Sequence, residues 1–152
     1  MATIYDIANI KSGDPMGVAS EGAREASTVL AQFKEEKKKI EEINAAISSL
    51  SSELDLEIDI VQSNNEAKVA NMIDRIDDSF DAILINPGGF TSSKGVLTDA
   101  IANSSTPTYE IHASNPTQRG VTSTLLPHCK GGVCGFGYDG YRIALSAISV
   151  QS

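Results

Sequence analysis

Hydrophobic and polar positions change period several times along this chain, and each change marks an element. "ATIYDIANI", Ala2 to Ile10, is apolar and rich in β-branched residues, which suits a buried first strand. "KSGDPMGVASEG" then replaces that pattern with Gly, Pro, Ser and Asp, a loop long enough to act as a lid or binding segment. From about Ala23 to Leu54 the period becomes helical. Leu30, Phe33, Ile40, Ile43 and Ile47 form the apolar side and "KEEKKK" the solvated one, as one helix or two broken near Lys37 to Lys39. "LEIDIVQ", Leu56 to Gln62, alternates strictly and predicts a strand. Ser63 and Glu66 then stand in capping-box spacing before a helix over about Asn65 to Asp78, with Val69, Met72, Ile73 and Ile76 inward.

"FDAILIN" is almost continuously apolar, as a central parallel strand covered on both faces must be. "PGGFTSSKG" turns, "VLTDAIAN" is helical and "PTYEIHAS" is the next strand. "NPTQRG" turns, "STLLPHCKGGVCGFGYDG" reads as irregular with glycine turns, and "YRIALSAIS" closes as a helix. Strands alternating with helices predict an α/β domain, a parallel sheet with helices on both faces, spanning residues 1–152 as one unit. Ligands of such sheets sit at the carboxyl ends of the strands. On this reading four loops meet there: Asn9 to Gly22, Gln62 to Asn65, Asn86 to Lys94 and His112 to Gly120.

Charge narrows the partners. The formal net charge of -8 argues against a nucleic-acid partner, which would need clustered positive charge to offset phosphates. No basic-then-apolar leader and no apolar run near membrane length are visible, so no membrane partner and a cytoplasmic location are the expectation. An anionic small molecule stays compatible, since a site needs only one or two local donors. Cys129 and Cys134 read as free thiols; with His128 they match no common zinc spacing, and no metal or other cofactor is expected.

The strand-end loops hold the polar chemistry. In "INPGGFTSSKG", Gly88 and Gly89 permit close backbone approach, and bare N–H groups ahead of Thr91, Ser92 and Ser93 could receive an anion; a plain turn with a hydroxyl cap is the other reading. In "EIHASN", His112 ends a strand and is either a titrating acid–base group or a structural histidine. Arg119 nearby could hold a carboxylate bidentately or simply face solvent. Asn64, Asn65 and Glu66 are explained by capping alone.

Taken together, "VQSNNE", "DAILINPGGFTSS", "LTDAI", "YEIHASNP" with Arg119, and "GGVCGFGYDGYRIAL" resemble, in order and spacing, the type II 3-dehydroquinate dehydratases. The resemblance runs over Leu56 to Ile148, and Ala2 to Ile10 fits the family's first strand. It implies a flavodoxin-like three-layer α/β/α sandwich and a homo-oligomer of trimers assembling to a dodecamer. It also implies a lyase that removes water from a cyclic β-hydroxyketone acid through an enolate. Carried over by position, His112 is the general acid and Glu110 the carboxylate that orients it. Asn86 belongs to the asparagine motif beside the enolate. Gly88, Ser92, Ala113, Ser114 and Arg119 fall in the substrate-binding loops, Asp99 matches a residue reaching across the trimer interface, and Asn9 opens the lid.

The lid departs from the family pattern. The family carries an arginine and then a catalytic tyrosine there, but no tyrosine lies between Tyr5 and Tyr109. The region's one arginine, Arg24, is displaced, and residues 11–38 form an altered, lengthened lid and helix segment, with Ala23 to Lys38 looking inserted. Ser92 stands where the family has a substrate-binding histidine, Phe90 where tyrosine is usual, and a second arginine soon after Arg119 is missing. Lys11, Asp14, Glu21 and Arg24 are the candidates to replace the lost base. Two readings follow: a lyase of this family whose substrate need not be dehydroquinate, and a non-catalytic homologue that binds an anion or serves as a scaffold.

Overall fold

Five strands hydrogen-bond side by side in the order β2-β1-β3-β4-β5, all pairs parallel. They are β1 (Ala2–Asp6), β2 (Ile58–Val61), β3 (Ala82–Asn86), β4 (Thr108–His112) and β5 (Gly131–Cys134). The computed structural model describes residues 2–6, 23–76 and 78–151, and for residues 2–6, 23–33 and 36 the backbone alone. Among the described residues, four helices connect and cover the sheet: α1 (Ala23–Leu54), α2 (Glu66–Asp74), α3 (Val96–Asn103) and α4 (Asp139–Ser149). This strand order is the flavodoxin-like one, with the connection reversing direction between β1 and β3.

Two cores lie on opposite faces of the sheet. Ile83 and Ile85 point one way, against Val69, Ala70 and Ile73 of α2, Leu97, Ala100 and Ile101 of α3, and Leu125. Leu84 and Ile111 point the other way, against Ile47 and Leu50 of α1 and Tyr141, Ala144 and Leu145 of α4. Strand periodicity alone produces this division, because neighbouring residues of β3 feed different layers. β3 is central and buried from Ala82 through Ile85, as its unbroken apolar run requires.

The charged stretch does not break the first helix; α1 runs for 32 residues without interruption. Leu56 to Gln62 contracts to β2, and the second helix ends at Asp74 rather than Asp78. A larger difference lies in "CKGGVC". It pairs as β5 along the edge of β4, with Tyr109, Glu110, Ile111 and His112 opposite Gly131, Gly132, Val133 and Cys134. Tertiary pairing here overrides the low strand propensity of glycine. Gly132 is needed at this point: a Cβ on it would come within 2.8 Å of the Glu110 carbonyl oxygen.

Candidate active site

β3 and β4 end side by side, and their last residues supply the site. Glu110 and His112 are two apart on β4, so both project from the same face. That face is covered by the link between β4 and β5. The link makes two short 3-10 turns, Thr117–Arg119 and Leu126–His128, where a helix would otherwise lie. Glu110 is 2% exposed and His112 9%.

The His112 ring places Nε2 2.5 Å from Glu110 Oε1. An ionised carboxylate only accepts hydrogen bonds, so Nε2 must carry the proton that it donates to Glu110. Nδ1 is then the nitrogen left to exchange a proton with a ligand. The other carboxylate oxygen, Oε2, accepts from the Ser123 hydroxyl at 2.8 Å. A carboxylate this deeply buried is tolerated because both oxygens are hydrogen-bonded. Its charge is felt nearby: burial, and secondarily Glu110, push the Cys129 thiol up to about 12. A pocket of about 480 Å³ opens beside His112 and Glu110, walled by Thr122, Ser123, Leu126 and Cys134 among others.

Asn86 ends β3 half-buried. Its Nδ2 donates to the Tyr141 hydroxyl at 3.0 Å, and its Oδ1 accepts from the Gly88 N–H at 3.3 Å. The amide is thereby fixed from both ends, and its orientation is assigned by these partners. Tyr141 comes from the first turns of α4 and is 3% exposed.

Much of the N–H set that "PGGFTSS" could offer an anion is used inside the loop. Four N–H groups of the loop are spent within it: Gly88 on Asn86 Oδ1, Phe90 on the Pro87 carbonyl, Thr91 on Gly88 and Ser93 on Phe90. The helix that follows starts at Val96, and its N-terminus already holds an anion of the chain's own. Glu66 accepts from the Leu97 N–H and from the Ser93 hydroxyl. This also corrects the capping box. The N-cap of α2 is Asn65, whose Oδ1 accepts from the Lys68 N–H at 3.0 Å, while Ser63 accepts from Asn65. Glu66 ties α2 to the start of α3 instead of closing its own helix, a contact across 31 residues that local spacing does not reveal.

The remaining expected residues spread around this centre. Ala113 and Ser114 follow His112 directly and are exposed, as is Arg119 in its 3-10 turn. Ser92 is exposed and donates to the Thr122 carbonyl at 2.9 Å, tying the loop after β3 to the wall of the pocket. Asp99 lies apart, on the exposed side of α3 in a groove shared with Asp74 and Asn103. Arg24 is in the first turn of α1. Asn9, Lys11, Asp14 and Glu21 lie outside the described residues. Sequence reasoning missed Ser123 and Tyr141. Tyr141 stood within a quoted motif, but nothing in its spacing tied it to Asn86; Ser123 had no signal at all.

With this geometry in place, comparison with known proteins is informative. The family model "Dehydroquinase class II" matches residues 29–149. The chain is 38% identical over 112 residues to the 3-dehydroquinate dehydratase of Geotalea daltonii, covering 72% of this chain and 78% of that protein. It is 40% identical over 113 residues to the 3-dehydroquinate dehydratase of Thermoanaerobacter pseudethanolicus, covering 72% and 76%. In fold it is similar to the type II dehydroquinase from Butyrivibrio crossotus, with a TM-score of 0.72 and 23% identity across 97% of this chain and 95% of that one. From the family match over most of its length, joined by relatives at this identity, the chain belongs to the class II dehydroquinase family.

Proposed function

We propose that this chain is a carbon–oxygen hydro-lyase acting by enolate chemistry on an anionic cyclic hydroxy-ketone acid, with 3-dehydroquinate as the first substrate to test. The observation that carries the reading is the buried Glu110–His112 pair beside an open pocket, in a chain of the dehydroquinase family. In the proposed reaction a base takes a proton next to the ketone and an enolate forms. The enolate then expels the hydroxyl group, which receives its proton from His112 Nδ1 and leaves as water. The imidazole is left neutral with its proton on Nε2, the form that Glu110 stabilises. Asn86, held by Tyr141 and Gly88, directs its second Nδ2 hydrogen toward a water at the enolate oxygen. Ser114 and Arg119 bind the carboxylate, with Gly88, Ser92 and Ala113 lining the approach. Asn9 belongs to the lid, and Asp99 to a contact between subunits of a homo-oligomer of trimers, twelve copies in all, working in the cytoplasm.

The groups that replace the lost base and its activating arginine are sought among Lys11, Asp14, Glu21 and Arg24, with Arg24 able to act only as the activating charge. Of the three tyrosines with described side chains, two are engaged in hydrogen bonds and the third is exposed. Tyr109 donates to Gln151 at the opposite end of the sheet, Tyr141 is buried on Asn86, and Tyr138 is exposed on the loop before α4. The missing lid tyrosine favours a second reading, a homologue that binds an anion at Ser114 and Arg119 without turning it over.

Ultraviolet detection of the enone formed from 3-dehydroquinate separates the two. On the first reading the wild-type protein turns it over, and His112→Ala or His112→Asn loses about 10²- to 10⁴-fold in rate. Unchanged turnover in His112→Ala removes this mechanism. A folded wild-type protein that turns over neither dehydroquinate nor related hydroxy-ketones, yet binds them, supports the second reading.

A further inference from the structure

Ser123 has an unusually constrained hydroxyl. Its oxygen accepts the Leu125 N–H at 3.1 Å and the Leu126 N–H at 3.0 Å. A serine oxygen has two lone pairs and one hydrogen, so both acceptor positions are filled. The hydrogen is left to point at Glu110 Oε2, 2.8 Å away. Glu110 in turn offers Oε1 to His112 Nε2. The serine lies in the pocket wall, and its oxygen is anchored by the turn that begins the 3-10 segment Leu126–His128. Backbone geometry of the covering loop therefore fixes a hydroxyl, the hydroxyl fixes a carboxylate, and the carboxylate fixes an imidazole.

We infer that Ser123 is a positioning residue for the proton donor, acting through Glu110 to hold His112 in its Nε2–H form with Nδ1 facing the pocket. Without the hydroxyl, Glu110 can rotate about its last torsion and loses a charge-assisted bond in a buried setting. The ring would then sample orientations in which Nδ1 no longer faces the ligand. The inference takes the proton-donor role of His112 from the proposed function, but its first test does not need turnover.

That test is ¹⁵N and ¹H NMR of the imidazoles. The chain has two histidines, and a His128→Gln background leaves the His112 signals alone. Ser123→Ala should shift upfield, or lose to exchange, the hydrogen-bonded Nε2–H resonance and mix the two tautomers, while Ser123→Thr should restore the wild-type pattern. The same His112 signals in folded Ser123→Ala would overturn the inference, whether or not the protein is an active dehydratase. If Ser123→Ala does not fold, Ser123→Cys, which keeps a side chain but donates weakly, is read in its place.

The second test is kinetic and uses a double-mutant cycle on 3-dehydroquinate turnover. Ser123→Ala should lower kcat by on the order of 10-fold, the scale of one bond to a charged group, with KM little changed. Adding Ser123→Ala to Glu110→Ala should cost nothing further. Equal losses in both backgrounds would overturn the inference, because they would trace to the freed Leu125 and Leu126 N–H groups. A wild-type protein without turnover counts against the proposed function alone and leaves the NMR result to decide on Ser123.

Discussion

His112 and Glu110 were legible as a pair through the family resemblance, and strand periodicity agrees with it, since residues two apart project from one face. Ser123 was not legible. It comes 13 residues after Glu110, in a stretch with no period, and reaches the carboxylate only through the fold of the covering loop. The cysteines show a similar contrast at the level of single side chains. Cys129 is partly buried, with its Sγ 3.4 Å from the Leu125 carbonyl, whereas Cys134 ends β5 exposed. Burial, with the Glu110 charge second, pushes the Cys129 thiol up to about 12, so at neutral pH almost none of it is thiolate. Thiolate is the reacting species. Iodoacetamide at neutral pH should therefore alkylate Cys134 well before Cys129, read by peptide mass spectrometry over time. Equal rates at the two cysteines would contradict the burial of Cys129 and its proximity to the Glu110 charge.

Among the elements, β5 carries the sharpest consequence. Its glycine at position 132 faces the β4 backbone where a Cβ would meet the Glu110 carbonyl at 2.8 Å and Leu126 Cδ1 at 3.1 Å. A backbone atom cannot swing aside as a flexible side chain can. Gly132→Ala must therefore push β5 away from β4, or displace β4 at the residue that orients His112. The expected cost is about 1–3 kcal/mol in urea unfolding, the usual range for overpacking. A loss of turnover should accompany it; Gly131→Ala, whose Cβ would meet nothing closer than Tyr109 Cδ1 at 3.9 Å, should cost less. The same element explains the limit of the sequence reading. Apolar β3 and the periodic helices declared themselves, because each owes its pattern to the layer that it buries. "GGVC" has no such pattern, and pairing with β4 alone makes it a strand. Glu66 teaches the same lesson from the other side. Its spacing from Ser63 suggested a local cap, but the carboxylate serves the N-terminus of the next helix, α3, where its charge complements the helix dipole.

Across the whole molecule, the outer layer on one face consists of α1 and α4, and a charged clamp joins them beside the apolar contacts. Arg142 meets Glu53 through two bonds, Nη1 to Oε1 at 2.9 Å and Nη2 to Oε2 at 3.3 Å. The hydrogen bonds from Arg142, and then its charge, hold the Glu53 carboxyl below its ordinary value. A carboxyl with a lowered folded-state value binds more protons in the unfolded chain, so the clamp contributes above the ordinary carboxylate range. Its contribution fades as pH falls through the folded-state value. Both partners are solvent-exposed, so the contribution is small and screened by salt. Melting temperatures of wild type and Glu53→Gln should therefore differ slightly at pH 7 in low salt. The two should converge as acid titrates the carboxyl, and again when salt is raised at pH 7. With Arg142→Gln already present, Glu53→Gln should change nothing more, since the partner that lowers the carboxyl is gone. A difference that persists through the acid range would mean that the substitution acts through something other than the loss of the carboxylate charge, since glutamine keeps the same aliphatic stem.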